Sequence, residues 1–236
     1  MRLSRTLLVA PGIYQLKARA ARVTVLSSPE GLVLVDAGGR GSLRMLAAGV
    51  KALGWAPADI RLVVVTHWHP DHTGGLKEVV GASSARVGAH PLDARVIAGE
   101  APLPTPHQHP LLASLWRPFL PIFQGKPVPV DVPLEDGASL PGAPDVRVVH
   151  TPGHTPGSIC LYVASQRVLI VGDALTRRWG RLFPPAPSVT WDSHQAMESL
   201  KKLASLDVET ICFSHYAPLR VNARGALQRL VEQGSR

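Results

Sequence analysis

The chain has 236 residues, 45% hydrophobic and 18% charged, a length and balance that suit one buried core and leave little room for two full domains. No apolar run approaches the roughly 18 to 20 residues that span a bilayer, and the 25 basic against 17 acidic residues, formally +8, include no block of like charge long enough to be a nucleic-acid arm. Cys160 and Cys212 sit in apolar runs and outline neither a disulfide framework nor a redox pair, and the apolar patch Leu7 to Ala10 is too short for a secretory core, so the expected compartment is the cytoplasm.

In chain order, ARVTVLSS (21–28) and GLVLVDAGG (31–39) flank Ser-Pro-Glu-Gly and predict a β-hairpin, because both are rich in β-branched and aliphatic residues around a turn signal. Leu43, Leu46, Ala47, Val50 and Leu53 follow at helical spacing, and Gly54 supplies a stop. IRLVVVTH (60–67) is a continuous apolar run, as a strand buried on both faces should be. The sequence THWHPDHTGG (66–75) begins where that strand ends. A helix at GGLKEVV, a strand at ARVGA and a short helix opened by Pro91 continue the alternation.

Residues 101–130 are proline-dense, with Trp116, Phe119 and Phe123 interleaved, which suggests a lid-like insertion whose aromatic rings form an apolar wall for substrate, anchor the loop or cover a homodimer contact. Strands are then predicted at VRVVHTP, SICLYVA, RVLIVGDAL and VETICFSHY. Ala196, Met197, Leu200, Leu203 and Ala204 mark one face of a core helix, and ARGALQRLVEQ a closing helix. Two sheets with helices outside would satisfy every apolar face.

His67, His69, Asp71 and His72 offer the nitrogen and oxygen donors that zinc, iron or manganese take. In an extended segment residues i and i+2 point the same way, so His67 and His69 can hold one ion together. After the turn at Pro70, Asp71 and His72 can reach a second position. Crowded imidazoles repel when protonated, and a metal resolves that conflict.

THWHPDHTGG resembles the H-x-H-x-D-H signature of the metallo-β-lactamase superfamily of binuclear metallohydrolases. Three further landmarks stand in the order that family requires: TPGHTPGS with His154, VLIVGDAL with Asp173 and ICFSHYAP with His215, with VDAGG also in place near the start. The resemblance implies an α/β fold, a four-layer αββα sandwich, in one domain over residues 1–236. It also implies two divalent ions, zinc first and manganese or iron also compatible. His67, His69 and His154 would hold the first ion, Asp71, His72 and His215 the second, and Asp173 would bridge them. Asp71 is in addition the candidate to orient the nucleophile or shuttle a proton, and Asp36 a supporting group behind the ligands. His90 and His150 are candidate hydrogen-bond partners of the ligands, His194 a solvated residue, and His107 and His109 are not counted as ligands.

The implied chemistry is hydrolysis of an ester, thioester or lactone carbonyl in a small-molecule acyl substrate, by a water that metal brings to roughly neutral pKa. The superfamily's β-lactamases lack an aspartate at the position of Asp173, whereas glyoxalase II-like thioesterases and acyl-homoserine lactone lactonases use one. No basic glutathione-binding pattern of a glyoxalase II is found in the C-terminal part. Three other readings remain: a mononuclear iron persulfide dioxygenase, a metal-dependent nuclease suggested by the +8 charge, and a binding protein with a vestigial site.

Overall fold

The computed structural model describes residues 6–103 and 125–234. Seven strands lie in sequence order in one sheet: β1 (Leu7–Ala10), β2 (Ile13–Lys17), β3 (Arg22–Ser28), β4 (Gly31–Val35), β5 (Ile60–Val64), β6 (Arg86–Ala89) and β7 (Val132–Pro133). The predicted hairpin is β3 against β4, antiparallel with Thr24 opposite Val35. From β4 onward the neighbours are parallel. Each parallel step therefore needs a crossover. Helix α1 (Leu43–Ala52) supplies the first, α2 (Pro70–Thr73) and α3 (Leu76–Ser83) the second, and α4 (Pro91–Ile97) follows β6.

A second sheet holds β8 (Ser139–Leu140), β9 (Ala143–His150), β10 (Ile159–Val163), β11 (Val168–Ile170) and β14 (Thr210–Cys212), in the order β14-β11-β10-β9-β8. The strands β12 (Thr176–Arg178) and β13 (Arg181–Phe183) form a separate hairpin, and α5 (Ser193–Ala204) and α6 (Ala223–Gly234) are the remaining described α-helices.

Period-two alternation sorts the apolar residues into three cores. In β4, Leu32 and Leu34 join Leu46 and Val50 of α1, Leu76 and Val79 of α3, and Val96 and Ile97 of α4. Val33 and Val35 of the same strand face the other way, onto Val148, Ile159, Leu161 and Ile170 of the second sheet. Cys160 and Leu169 of the second sheet look outward to Leu200 and Leu203 of α5 and Leu227 and Leu230 of α6. Helix, sheet, sheet, helix is the four-layer order expected. Each buried Val, Leu or Ile is worth roughly 1.5–3 kcal/mol relative to exposure, so this three-core sorting, not any polar contact, carries the sandwich.

The hairpins β1–β2 and β12–β13, like the short strands β7 and β8, are not foreseen by the sequence patterns. β1 and β2 turn about Pro11 and Gly12, where Gly12 takes φ +73°; the same residues that break the apolar patch make the turn. At the tip of the β12–β13 hairpin, Trp179 and Gly180 both have positive φ, 49° and 75°, as a two-residue turn with the twist of the strands demands. Tryptophan is not a usual first residue of such a turn.

The parallel pairs β4–β5 and β11–β14 place their carboxyl ends together, with Val35 beside Val64 and Ile170 beside Cys212. Cross-sheet bonds clip each end to the start of a strand in the opposite sheet: Ile159 N–H of β10 donates to the Thr66 carbonyl at 2.9 Å, and Arg22 N–H of β3 to the Ser214 carbonyl at 2.6 Å. Asp36, the histidine cluster, His154, Asp173 and His215 all follow strand ends.

Candidate metal centre

Beyond Val64 the chain runs extended through His67 to His69, and Pro70 then opens the single turn of α2. His67 Nε2 lies 3.1 Å from His69 Nδ1, and His154 Nε2 lies 2.9 Å from that same His69 nitrogen. His154 arrives from the loop between β9 and β10, where Gly153 N–H donates to the Thr155 carbonyl at 3.0 Å. Burial, reinforced by the neighbouring imidazoles, holds His67 well below the ordinary histidine range. Burial and His154 bring His69 down to about 3. These rings are neutral at pH 7, the state in which imidazole binds a metal.

A second cluster adjoins the first. Asp71, His72, Asp173 and His215 bring one ligand atom each within 4.8 Å of one another, as do His67, His69 and His154 among themselves. His215 Nε2 stands 3.2 Å from both Asp71 Oδ2 and Asp173 Oδ2. Asp173 reaches both groups, with Oδ1 3.6 Å from His72 Nε2 and Oδ2 3.8 Å from His154 Nε2. The residue before it explains its placement: Gly172 takes φ +51°, and a Cβ there would come within 2.8 Å of Thr66 Oγ1. A side chain at 172 would push Asp173 away from the cluster.

The electrostatics of this second cluster are opposite to those of the first. Hydrogen bonds to Asp173 and Asp71 raise His215 to about 10. Burial works against a charge on His72, but Asp36, Asp173 and Asp71 outweigh it and keep its pKa well above the usual value. Burial likewise opposes the charge on Asp71 and Asp173, and the paired histidines hold both well below the carboxylate range.

Asp36 is the hub behind the candidate ligands. Its Oδ2 is 2.8 Å from His72 Nδ1, and its Oδ1 accepts from Thr66 N–H at 2.8 Å and from Thr66 Oγ1 at 3.0 Å. Thr66 Oγ1 in turn lies 3.1 Å from His67 Nδ1. A buried carboxylate accepts only, so His72 carries its proton on Nδ1. Thr66 spends its proton on Asp36 and accepts from His67 Nδ1–H. His67 is thereby set with its Nε2 lone pair facing the first cluster, and His72, once its second proton is lost, with Nε2 facing the second, as outer partners of metal-binding histidines do. Asp36 has φ +69°, a conformation costing a non-glycine residue of order 1–3 kcal/mol, here held by three bonds.

The donor set fits divalent ions. Tetrahedral zinc with Zn–N of about 2.0–2.1 Å separates its ligand atoms by roughly 3.3 Å, close to the 2.9 and 3.1 Å seen among the first three nitrogens. His72 Nε2 is buried with no hydrogen-bond partner, an orphan that a cation between Asp71, Asp173 and His215 would satisfy.

Loading should therefore differ between the clusters. Were each cluster to take an ion near pH 7, the second would have to shed the protons of His72 and His215, about two per ion, whereas the first would release almost none. Because both pKa values are raised, second-site affinity should climb with pH up to about 10. Titration calorimetry in buffers of different ionisation enthalpy measures this; equal proton release at both steps would contradict it.

His90 and His150 stack on each other, ring centroids 3.8 Å apart and 9° from parallel. Their hydrogen bonds go to Leu92 N–H and the Pro156 carbonyl, so the expectation that they partner the candidate ligands is not met: the stacked pair is spent on backbone groups instead. His194 is exposed at the start of α5. His107, His109, Trp116, Phe119 and Phe123 lie outside the described residues. No helix among the described residues is long and apolar enough to cross a membrane.

Residues 16–215 match the family model described as Metallo-beta-lactamase superfamily. A probable metallo-hydrolase of Bacillus subtilis (strain 168) is 28% identical over 228 residues, covering 89% of this chain and 86% of the relative. A hydroxyacylglutathione hydrolase of Rhodospirillum rubrum is 29% identical over 181 residues, covering 76% of this chain, which spans only 56% of that relative's length. Among solved structures, a metallo-beta-lactamase family protein from Thermus thermophilus superposes with a TM-score of 0.74 at 24% identity, over 97% of this chain and 81% of its own.

Proposed function

The chain belongs to the metallo-β-lactamase superfamily, and from that premise we propose that it is a binuclear metal-dependent hydrolase of an ester, thioester or lactone, with thioesters the first class to test. One observation carries the reading: Asp173 stands between a three-histidine cluster and a carboxylate–histidine cluster, within 3.8 Å of a ligand nitrogen in each. The hydroxyacylglutathione hydrolase relatives support the thioester choice for the region they share with this chain. In this reading residues 1–236 form one catalytic domain.

His67, His69 and His154 would hold one ion, Asp71, His72 and His215 the other, and Asp173 would be shared. Bound divalent ions, zinc first, supply Lewis acidity, which lowers the pKa of water and stabilises charge developing on a carbonyl oxygen. The chain's own part is to hold this donor set in register. Asp36 and Thr66 fix the two ring tautomers, and burial keeps the first cluster neutral. Asp71, partly exposed and bonded to His215 at 3.2 Å, is kept ionised by its paired histidines, so its part would be to accept a hydrogen bond from a water and orient it, not to act as a free base.

Metal analysis beside a hydrolysis panel of thioesters, lactones and simple esters tests the proposal. The expected result is about two zinc or manganese ions per chain and turnover confined to one class, at a kcat of order 1–10³ per second on a good substrate. A single iron per chain, no hydrolysis and oxygen uptake on a persulfide would replace it with the dioxygenase; cleavage of nucleic acid, with binding lost steeply as salt is added, would replace it with the nuclease.

A further inference from the structure

The first turn of α4 carries a buried carboxylate that the chemistry above does not use. Asp93 is 1% exposed, and all three of its partners are donors. Asp93 Oδ2 accepts from Trp68 N–H at 3.0 Å and from the Thr155 hydroxyl at 2.7 Å. Its Oδ1 accepts from Gly157 N–H at 2.7 Å. Trp68 lies between His67 and His69, and Thr155 follows His154 directly. One carboxylate thus joins the two segments, 85 residues apart in sequence, that supply the three-histidine cluster.

The approach is close enough to dictate the neighbouring residue. A Cβ at Gly157 would lie 2.6 Å from both the backbone nitrogen and Oδ1 of Asp93, so the glycine of TPGHTPGS makes room for α4. Burial pushes the Asp93 carboxyl up to about 6 against the pull of its three donors. A raised carboxyl pKa means that the charge weakens the fold at pH values above that range, so the group is kept at some expense to stability. Groups kept against stability are commonly functional.

We propose that Asp93 is a positioning residue that fixes His154 against His67 and His69 by clamping the Trp68 and Gly157 backbones to one carboxylate. The inference rests on the metal-centre reading. An asparagine at 93 has one acceptor oxygen and one amide that only donates, so it must set its amide against either Trp68 N–H or Gly157 N–H and release that segment. The hydroxyl of Thr155 can adapt, since it also lies 2.8 Å from Ser158 Oγ.

The test uses the full chain, stripped of metal and titrated with Zn²⁺ against a chromophoric chelator, and with Co²⁺ followed by its visible absorption. For Asp93→Asn, first-site Zn²⁺ affinity should fall about 10- to 100-fold, as for other outer partners of metal ligands. Its Co²⁺ spectrum should shift, and the melting temperature of the metal-free chain should fall modestly, since one buried donor is left unpaired. Asp131→Asn is the control: that carboxylate accepts Val87 N–H at 2.8 Å at another strand, and its loss should leave Zn²⁺ affinity unchanged. Thr155→Val removes one of the three donors and should weaken Zn²⁺ severalfold, which keeps the question open to test if Asp93→Asn does not fold.

Zn²⁺ affinity within about twofold of the parent in both Asp93→Asn and Thr155→Val would overturn the positioning role, being far short of the loss expected of an outer partner. So would a loss that merely tracks melting temperature across all three variants. A parent chain that binds no Zn²⁺ would instead sink the metal-centre reading on which this one stands.

Discussion

Asp173→Ala is expected to lower turnover on the best substrate by about 10³-fold or more, the scale set by losing a metal bridge together with its charge stabilisation. The side chain lies in contact range of a ligand nitrogen in each cluster, 3.6 Å from His72 and 3.8 Å from His154. It is also one of two carboxylates that hold His215, at 3.2 Å. Its removal should cost the second ion more than the first, because the three histidines need no carboxylate to converge. Metal per chain should therefore fall from about two toward one, with far-ultraviolet circular dichroism unchanged. Full activity and two ions in Asp173→Ala would remove the bridge from the mechanism.

Asp36→Ala should be the most damaging change outside the ligands. It strands Thr66 N–H, Thr66 Oγ1 and the His72 ring proton, each a buried donor worth about 1–3 kcal/mol when left unpaired. Allowing for partial relaxation, a loss of roughly 3–5 kcal/mol follows, with second-site metal affinity down about 10- to 100-fold as the His72 tautomer is released. Asp36→Gly provides an internal check. Both substitutions break the same bonds, but glycine accepts φ +69° without strain, so Asp36→Gly should be the more stable of the two by about 1 kcal/mol. Denaturant melts of the metal-free variants measure the difference; an alanine variant equal to or more stable than the glycine one would mean that the backbone at 36 relaxes and stores nothing.

Much of the architecture is legible in the sequence because it is written in short-range spacing. The alternation in GLVLV, the unbroken run IRLVV and the helical spacing of Leu46 and Val50 each report a local face, and all appear where expected. The hairpin at β12–β13 is not legible, since its turn rests on Trp179 in a left-handed conformation that composition does not announce. The seven candidate ligands are readable from residue type, strand-end position and family resemblance, and the fold does bring them into two adjoining groups.

The supporting polar groups are less readable. Asp36 is suggested by resemblance without a partner, and its bonds to Thr66 and His72 span 30 and 36 residues. Asp93 looks like an ordinary first-turn acid of a short helix, yet it bonds across 25 residues to Trp68 and 64 to Gly157.

The sequence by itself determined which residue types end each strand and which faces are apolar, because those follow from periods of about two and 3.6 residues within one element. Only the tertiary structure decided which histidine nitrogen faces which carboxylate, that Asp36 anchors the segment from Thr66 to His72, and that Asp93 joins that segment to the one bearing His154. Those are distances between segments brought together by sheet packing, and a hydrogen bond across such a gap leaves no periodic trace along the chain.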